Sequence, residues 1–108
     1  MSPTLAWISL ISAGIFEIIW AYFLKQSDGM TKILPTILFA FALVMSTVLL
    51  AISVKIIPIS IAYPIWTGIG AVGAVLIGAI FFGESLTFLS AIFLMMIIVG
   101  IIGIKACL

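Results

Sequence analysis

The sequence contains no histidine and a single cysteine, Cys107, so one chain can assemble neither a zinc centre nor an internal disulfide. Cys107 reads as a residue beyond the last apolar run, with an intermolecular disulfide as the lesser alternative. Charge is almost as scarce. Charged side chains make up 6% of the 108 residues, against roughly 25% in a soluble globular domain. Lys25, Lys32, Lys55 and Lys105 oppose Glu17, Asp28 and Glu84, leaving a net charge of +1. No basic cluster is present to draw a phosphate backbone, so nucleic acid is not an expected partner. No nucleophile and base pair or metal set is visible either, so neither an enzyme nor a cofactor is expected.

What is present is apolar: 67% of the residues are hydrophobic, more than a soluble fold of this size could hide. A membrane helix needs about 20 mainly apolar residues. The sparse charges and turn formers divide the chain into stretches of that length: Thr4 to Leu24, Leu34 to Val54, Ile59 to Phe82 and Leu86 to Ile104. The first run lacks a basic leading region and is too long for a cleavable signal segment, so it reads as a retained helix. The connections at Lys25 to Lys32, Lys55 to Pro58 and Gly83 to Ser85 are short and force antiparallel neighbours. The fold class predicted is an all-α membrane protein, with residues 1–108 forming a single domain of four transmembrane helices in a lipid bilayer.

Lysine normally marks the cytoplasmic side. With four spans, Lys55 and Lys105 lie on one side and Lys25 and Lys32 on the other. A balanced chain can insert in both directions, and opposite copies could then pair as an antiparallel, dual-topology homodimer.

Glu17 is the only ionisable carboxylate inside a span. A charge at that depth costs at least a few kcal/mol, so such residues face a cavity, a partner or an ion pathway by default. The alternative is a neutral, hydrogen-bonded carboxyl that serves packing. Leu10, Ala13, Gly14, Trp20, Ala21 and Leu24 share the Glu17 face at helical spacing. Gly14 leaves space one turn away, and Trp20, too deep to be an interfacial anchor, offers a ring and an indole donor. Trp7, near the end of its span, reads as such an anchor. A small cation could sit between carboxylate and ring.

In the third span Tyr63, Trp66 or Thr67, Gly70 and Ala74 form one stripe, with aromatic groups beside small residues. Pro64 removes a backbone donor, and together with Gly68 and Gly70 it predicts a bend. Ser46 is a candidate hydrogen-bond partner for a carboxylate or substrate, or a serine bonded to its own backbone. Gly100 and Gly103 assign the fourth helix to packing between copies. Asp28 and Glu84 read as solvated charges in connections. Two copies would bring two Glu17 side chains together as a coupled unit that binds protons or a cation, the minimum requirement for antiport.

These residues resemble the small multidrug resistance family of dual-topology exporters across nearly the whole chain. The resemblance is carried by Ala13-Gly14-Ile15-Phe16-Glu17-Ile18-Ile19-Trp20-Ala21, by Leu24-Lys25 with Ser27, Gly29, Thr31 and Pro35, and by Pro58 and Ala62-Tyr63. It continues through Ile65 to Ala74 and ends in Gly100-Ile101-Ile102-Gly103-Ile104-Lys105. Gly14, Trp20 and that ending are similar to the guanidinium exporters rather than to the promiscuous exporters of quaternary ammonium compounds. The resemblance implies a proton-coupled antiporter of guanidinium-like cations in a bacterial plasma membrane. It also implies Glu17 as the shared proton and substrate carboxylate, framed by Gly14, Trp20, Ser46, Tyr63 and Trp66, with the third helix bent at Gly68 and Gly70. Pro64 and Ile61 depart from the pattern of that subtype, beside the implied site. A quaternary ammonium exporter, a passive cation pore and a non-transporting helper subunit are the competing readings.

Overall fold

The computed structural model describes residues 2–107. Its elements are α1 (Pro3–Gln26), α2 (Ile33–Ser53), α3 (Ile59–Phe81) and α4 (Phe88–Ala106). Each is long and apolar enough to cross a membrane. At 1.5 Å per residue even α4, with 19 residues, measures about 28 Å, close to the roughly 30 Å hydrocarbon core.

Local chemistry sets the ends. Ser2 caps α1 by accepting from Leu5 N at 3.2 Å, and Pro3 occupies a first-turn position where its missing N–H costs nothing. Ser27 stops the same helix: its hydroxyl donates to Leu24 O at 2.7 Å and accepts from Met30 N at 3.1 Å. Asp28, Gly29 and Met30 follow with φ of 49°, 71° and 66°, a run of left-handed residues that reverses the chain. The fourth helix begins at Phe88 rather than Leu86, because Thr87 is its cap and accepts from Ser90 N at 3.1 Å. The third connection is accordingly longer than Gly83 to Ser85. It starts where Gly78 O accepts from both Phe82 N and Glu84 N, at 3.3 and 3.0 Å, and turns through Gly83 at φ 65°.

Helix α1 is the centre of the arrangement and packs against α2 and α3, while the backbone of α4 packs against α3 alone. The result is a slab of 39 × 35 × 17 Å. Lipid is as apolar as a leucine side chain, so close fit rather than water exclusion joins such helices, and glycine permits it. A Cβ on Gly14 would come within 2.7 Å of Ile69, one on Gly68 within 2.7 Å of Ile101, and one on Gly73 would overlap Ile18. Large residues of α1, α3 and α4 thus enter gaps on their neighbours. A compact cluster of Ala6, Leu10, Ile57, Ala62 and Ile65 closes the end at which α1 begins. Helix α3 runs uninterrupted through Pro64, whose missing N–H leaves the Ser60 carbonyl without its usual helical partner.

Candidate functional site

Glu17 lies half-buried on the α1 face that meets α2 and α3. The sequence puts it there because Ala6, Leu10, Ala13 and Gly14 recur at three- and four-residue spacing and all are buried, so Glu17 inherits the packed side of the helix. Its Oε1 accepts a hydrogen bond from Trp20 Nε1, one turn further along. The Trp20 ring is held in turn by Phe39 of α2, edge-on with centroids 5.7 Å apart.

Ser46 of α2 is fully buried beside this pair. It bonds to a different helix rather than to its own backbone, donating to Ala13 O at 2.8 Å, and it lies 3.5 Å from Glu17 Oε1. A hydroxyl has one proton, and the shorter distance commits it to Ala13. Trp66 Nε1 of α3 donates to Ser46 Oγ at 2.9 Å. Trp66 therefore joins the cluster, whereas Thr67 is exposed. Tyr63 sits 5.5 Å from Trp66, centroid to centroid, and is 52% exposed. The three helices thus contribute a connected set: Glu17 and Trp20, Ser46, then Trp66 and Tyr63.

The other carboxylate oxygen differs. Glu17 Oε2 accepts no hydrogen bond among the described residues, yet no buried side-chain oxygen there lacks a partner, so this atom is accessible. Nor does a cation neutralise the group: the ion pair among the described residues is Lys25 with Glu84, at 3.7 Å on the surface. A half-buried carboxylate with one oxygen oriented and one free attracts an external proton or cation.

The glycines divide the work differently from their spacing. Gly14 is packed against Ile69 rather than opening space at the carboxylate. Gly70 does that instead, since a Cβ there would stand 3.1 Å from both Glu17 Cβ and Oε2. Gly68 admits Ile101 of α4. Gly100 and Gly103 are exposed and face nothing within 4 Å. Ile61 is turned toward the Ala6–Leu10–Ile65 cluster, and Pro64 is half-buried. Glu84 is tied to the end of α3 as well as to Lys25, its carboxylate occupying the space beside Gly78. Phe39 and the Ala13 carbonyl are site members that sequence patterns do not reveal: α2 carries several similar apolar residues, and a backbone carbonyl has no signature in sequence.

The chain matches the family model described as Small Multidrug Resistance protein over residues 5–98. It is 45% identical over 101 residues to the guanidinium exporter of Proteus vulgaris, covering 94% of this chain and 97% of that one. It is 44% identical to the guanidinium exporter of Yersinia pestis, again over 94% and 97% of the two chains. Against the guanidinium exporter of Escherichia coli K12 the identity is 41%, over 94% and 96%. Four spanning helices and a family match along most of the chain make this a multi-pass membrane protein. With the match running from the first turns of α1 well into α4, the chain belongs to the small multidrug resistance family.

Proposed function

We propose that this protein is a proton-coupled antiporter that exports guanidinium or guanidinyl compounds across a bacterial inner membrane, acting as an antiparallel homodimer. Glu17 carries the reading: a membrane-embedded carboxylate with no counter-ion among the described residues, Oε1 held by Trp20 and Oε2 left open. A planar guanidinium presents parallel N–H donors that match two carboxylate oxygens, and such bidentate pairs are the strong ones. Trp20, Trp66 and Tyr63 would add ring faces to the cation. The relatives' names as guanidinium exporters support the substrate class, and exporters as a group support a transporter rather than an enzyme.

Coupling follows from competition. A proton and a cation neutralise the same carboxylate and exclude each other, so each occupies the site in turn. Cation binding should weaken as pH falls, because protonation removes the charge that holds it. A slab only 17 Å thick gives Glu17 cover from α2 and α3 but no enclosing chamber, and a second copy would supply the missing wall. Two Glu17 carboxylates would then face one shared site, and opposite insertion would let a rocking motion exchange the open side.

The test is the current from purified protein in liposomes on a solid-supported membrane, driven by guanidinium, tetramethylammonium or tetraethylammonium. Guanidinium currents that vanish in Glu17→Gln are the expected result. Larger quaternary ammonium currents would favour the promiscuous class, for which the half-exposed Tyr63 ring is the relevant feature. Current that proton gradients cannot drive uphill would mean a pore, and silence with every cation would leave a helper subunit.

A further inference from the structure

The charges outside the site are distributed unevenly between the two ends of the molecule. Lys25 and Lys32 share their end with Asp28 and Glu84, whereas the end bearing Lys55 and Lys105 has no acidic side chain. At that second end a groove of about 560 Å³ opens between α1 and α4, lined by Pro3, Thr4, Trp7, Ile8, Ile11, Ser12 and Lys105. At 100° per residue Ile8 and Ile11 fall on the side of α1 turned away from Glu17, so the groove is separate from the cation site. Ile8 and Ile11 are exposed and form an apolar wall that runs from the helix end toward the middle of the span.

Lys105 stands at the mouth of this groove, its ammonium 5.1 Å from the centroid of the Trp7 ring. That distance is within cation–π range, which fixes the charge at the depth where tryptophan rings gather, the headgroup level. The positive end of the α1 dipole and the negative end of the α4 dipole meet at the same spot and offset one another, which leaves the Lys105 ammonium as the net charge there. An apolar trough with a cation at its headgroup-level end, and no acidic side chain at that end among the described residues, has the shape and charge of a site for a lipid with an anionic head.

We propose that this groove binds an anionic phospholipid, one acyl chain lying along Ile8 and Ile11 and the phosphate paired with Lys105. Zwitterionic lipid would fill the trough less well, because its ammonium group opposes the lysine. The proposal does not depend on what Glu17 transports.

Native mass spectrometry of the full chain, released from micelles with equal amounts of phosphatidylglycerol and phosphatidylcholine of matched acyl chains, tests it. Phosphatidylglycerol adducts should predominate by roughly fivefold, the contribution of one lysine near an anionic surface. Lys105→Gln should abolish the preference, and Lys55→Gln, at the same end but off the groove, should keep it. Glycerol phosphate, which carries the anion without acyl chains, should not displace the bound lipid. A preference that survives Lys105→Gln, falls equally with Lys55→Gln or yields to glycerol phosphate would overturn the proposal, as would the absence of bound lipid of either class.

Discussion

Gly70 and Glu17 share a space sized for a hydrogen. A methyl group at Gly70 would press on the carboxylate arm at 3.1 Å, and the flexible end of the side chain would have to yield by a few tenths of an ångström. Gly70→Ala should therefore displace the open oxygen without breaking the fold. Since a misplacement of about 1 Å can cost roughly a hundredfold, a fall in guanidinium current of about tenfold is expected, with an unchanged unfolding midpoint. Ser46 poses a different balance. Ser46→Ala removes the donor to Ala13 O and the acceptor for Trp66 Nε1. Hydrogen bonds between membrane helices average about 0.6 kcal/mol, so the two together amount to about 1 kcal/mol. Denaturation in mixed micelles should show a loss of that size. A larger one, toward 3 kcal/mol, would mean that Trp66 is left with no alternative acceptor.

Among the elements, the α1–α2 turn holds the clearest local conflict. Met30 adopts φ 66° although its side chain is exposed. A left-handed residue with a side chain costs about 1–2 kcal/mol, while glycine adds unfolded-chain entropy of roughly 0.5–1 kcal/mol. The strain outweighs the entropy, so Met30→Gly should stabilise the protein by about 0.5–1 kcal/mol in the same denaturation experiment. Asp28, at φ 49°, should gain less from the same change, because aspartate tolerates this region through local hydrogen bonds.

For the whole molecule, the exposed α4 face is the open question that the proposed dimer answers. Gly100 and Gly103 have no neighbour within 4 Å of a Cβ, so isoleucine at either position fits the isolated chain. At a tight interface between copies the same side chain would be overpacked, at a cost of about 1–3 kcal/mol. Gly103→Ile should then raise the dimer dissociation constant by about tenfold or more, read by cross-linking in micelles, and leave the helical content unaltered. An unchanged dissociation constant would move the contact away from this face. A topology reporter fused to the C-terminus should appear on both sides of the membrane, since Lys55 and Lys105 balance Lys25 and Lys32.

Sequence alone determined the number of spans, because apolar length and the cost of burying charge in lipid act on each segment independently. It also determined the packed face of α1, since Leu10, Ala13 and Gly14 share a stripe with Glu17 whatever that helix meets. Only the tertiary structure decided which glycine serves which neighbour: Gly14 receives Ile69 while Gly70 accommodates the carboxylate, a matter of register between α1 and α3. The same holds for Ser46. Its hydroxyl could have bonded within α2, and the crossing of α1 beside it brought the Ala13 carbonyl and Glu17 into reach instead. Helical periodicity is written along one chain segment. The partner across an interface depends on how two helices slide and rotate against each other, which no single segment encodes.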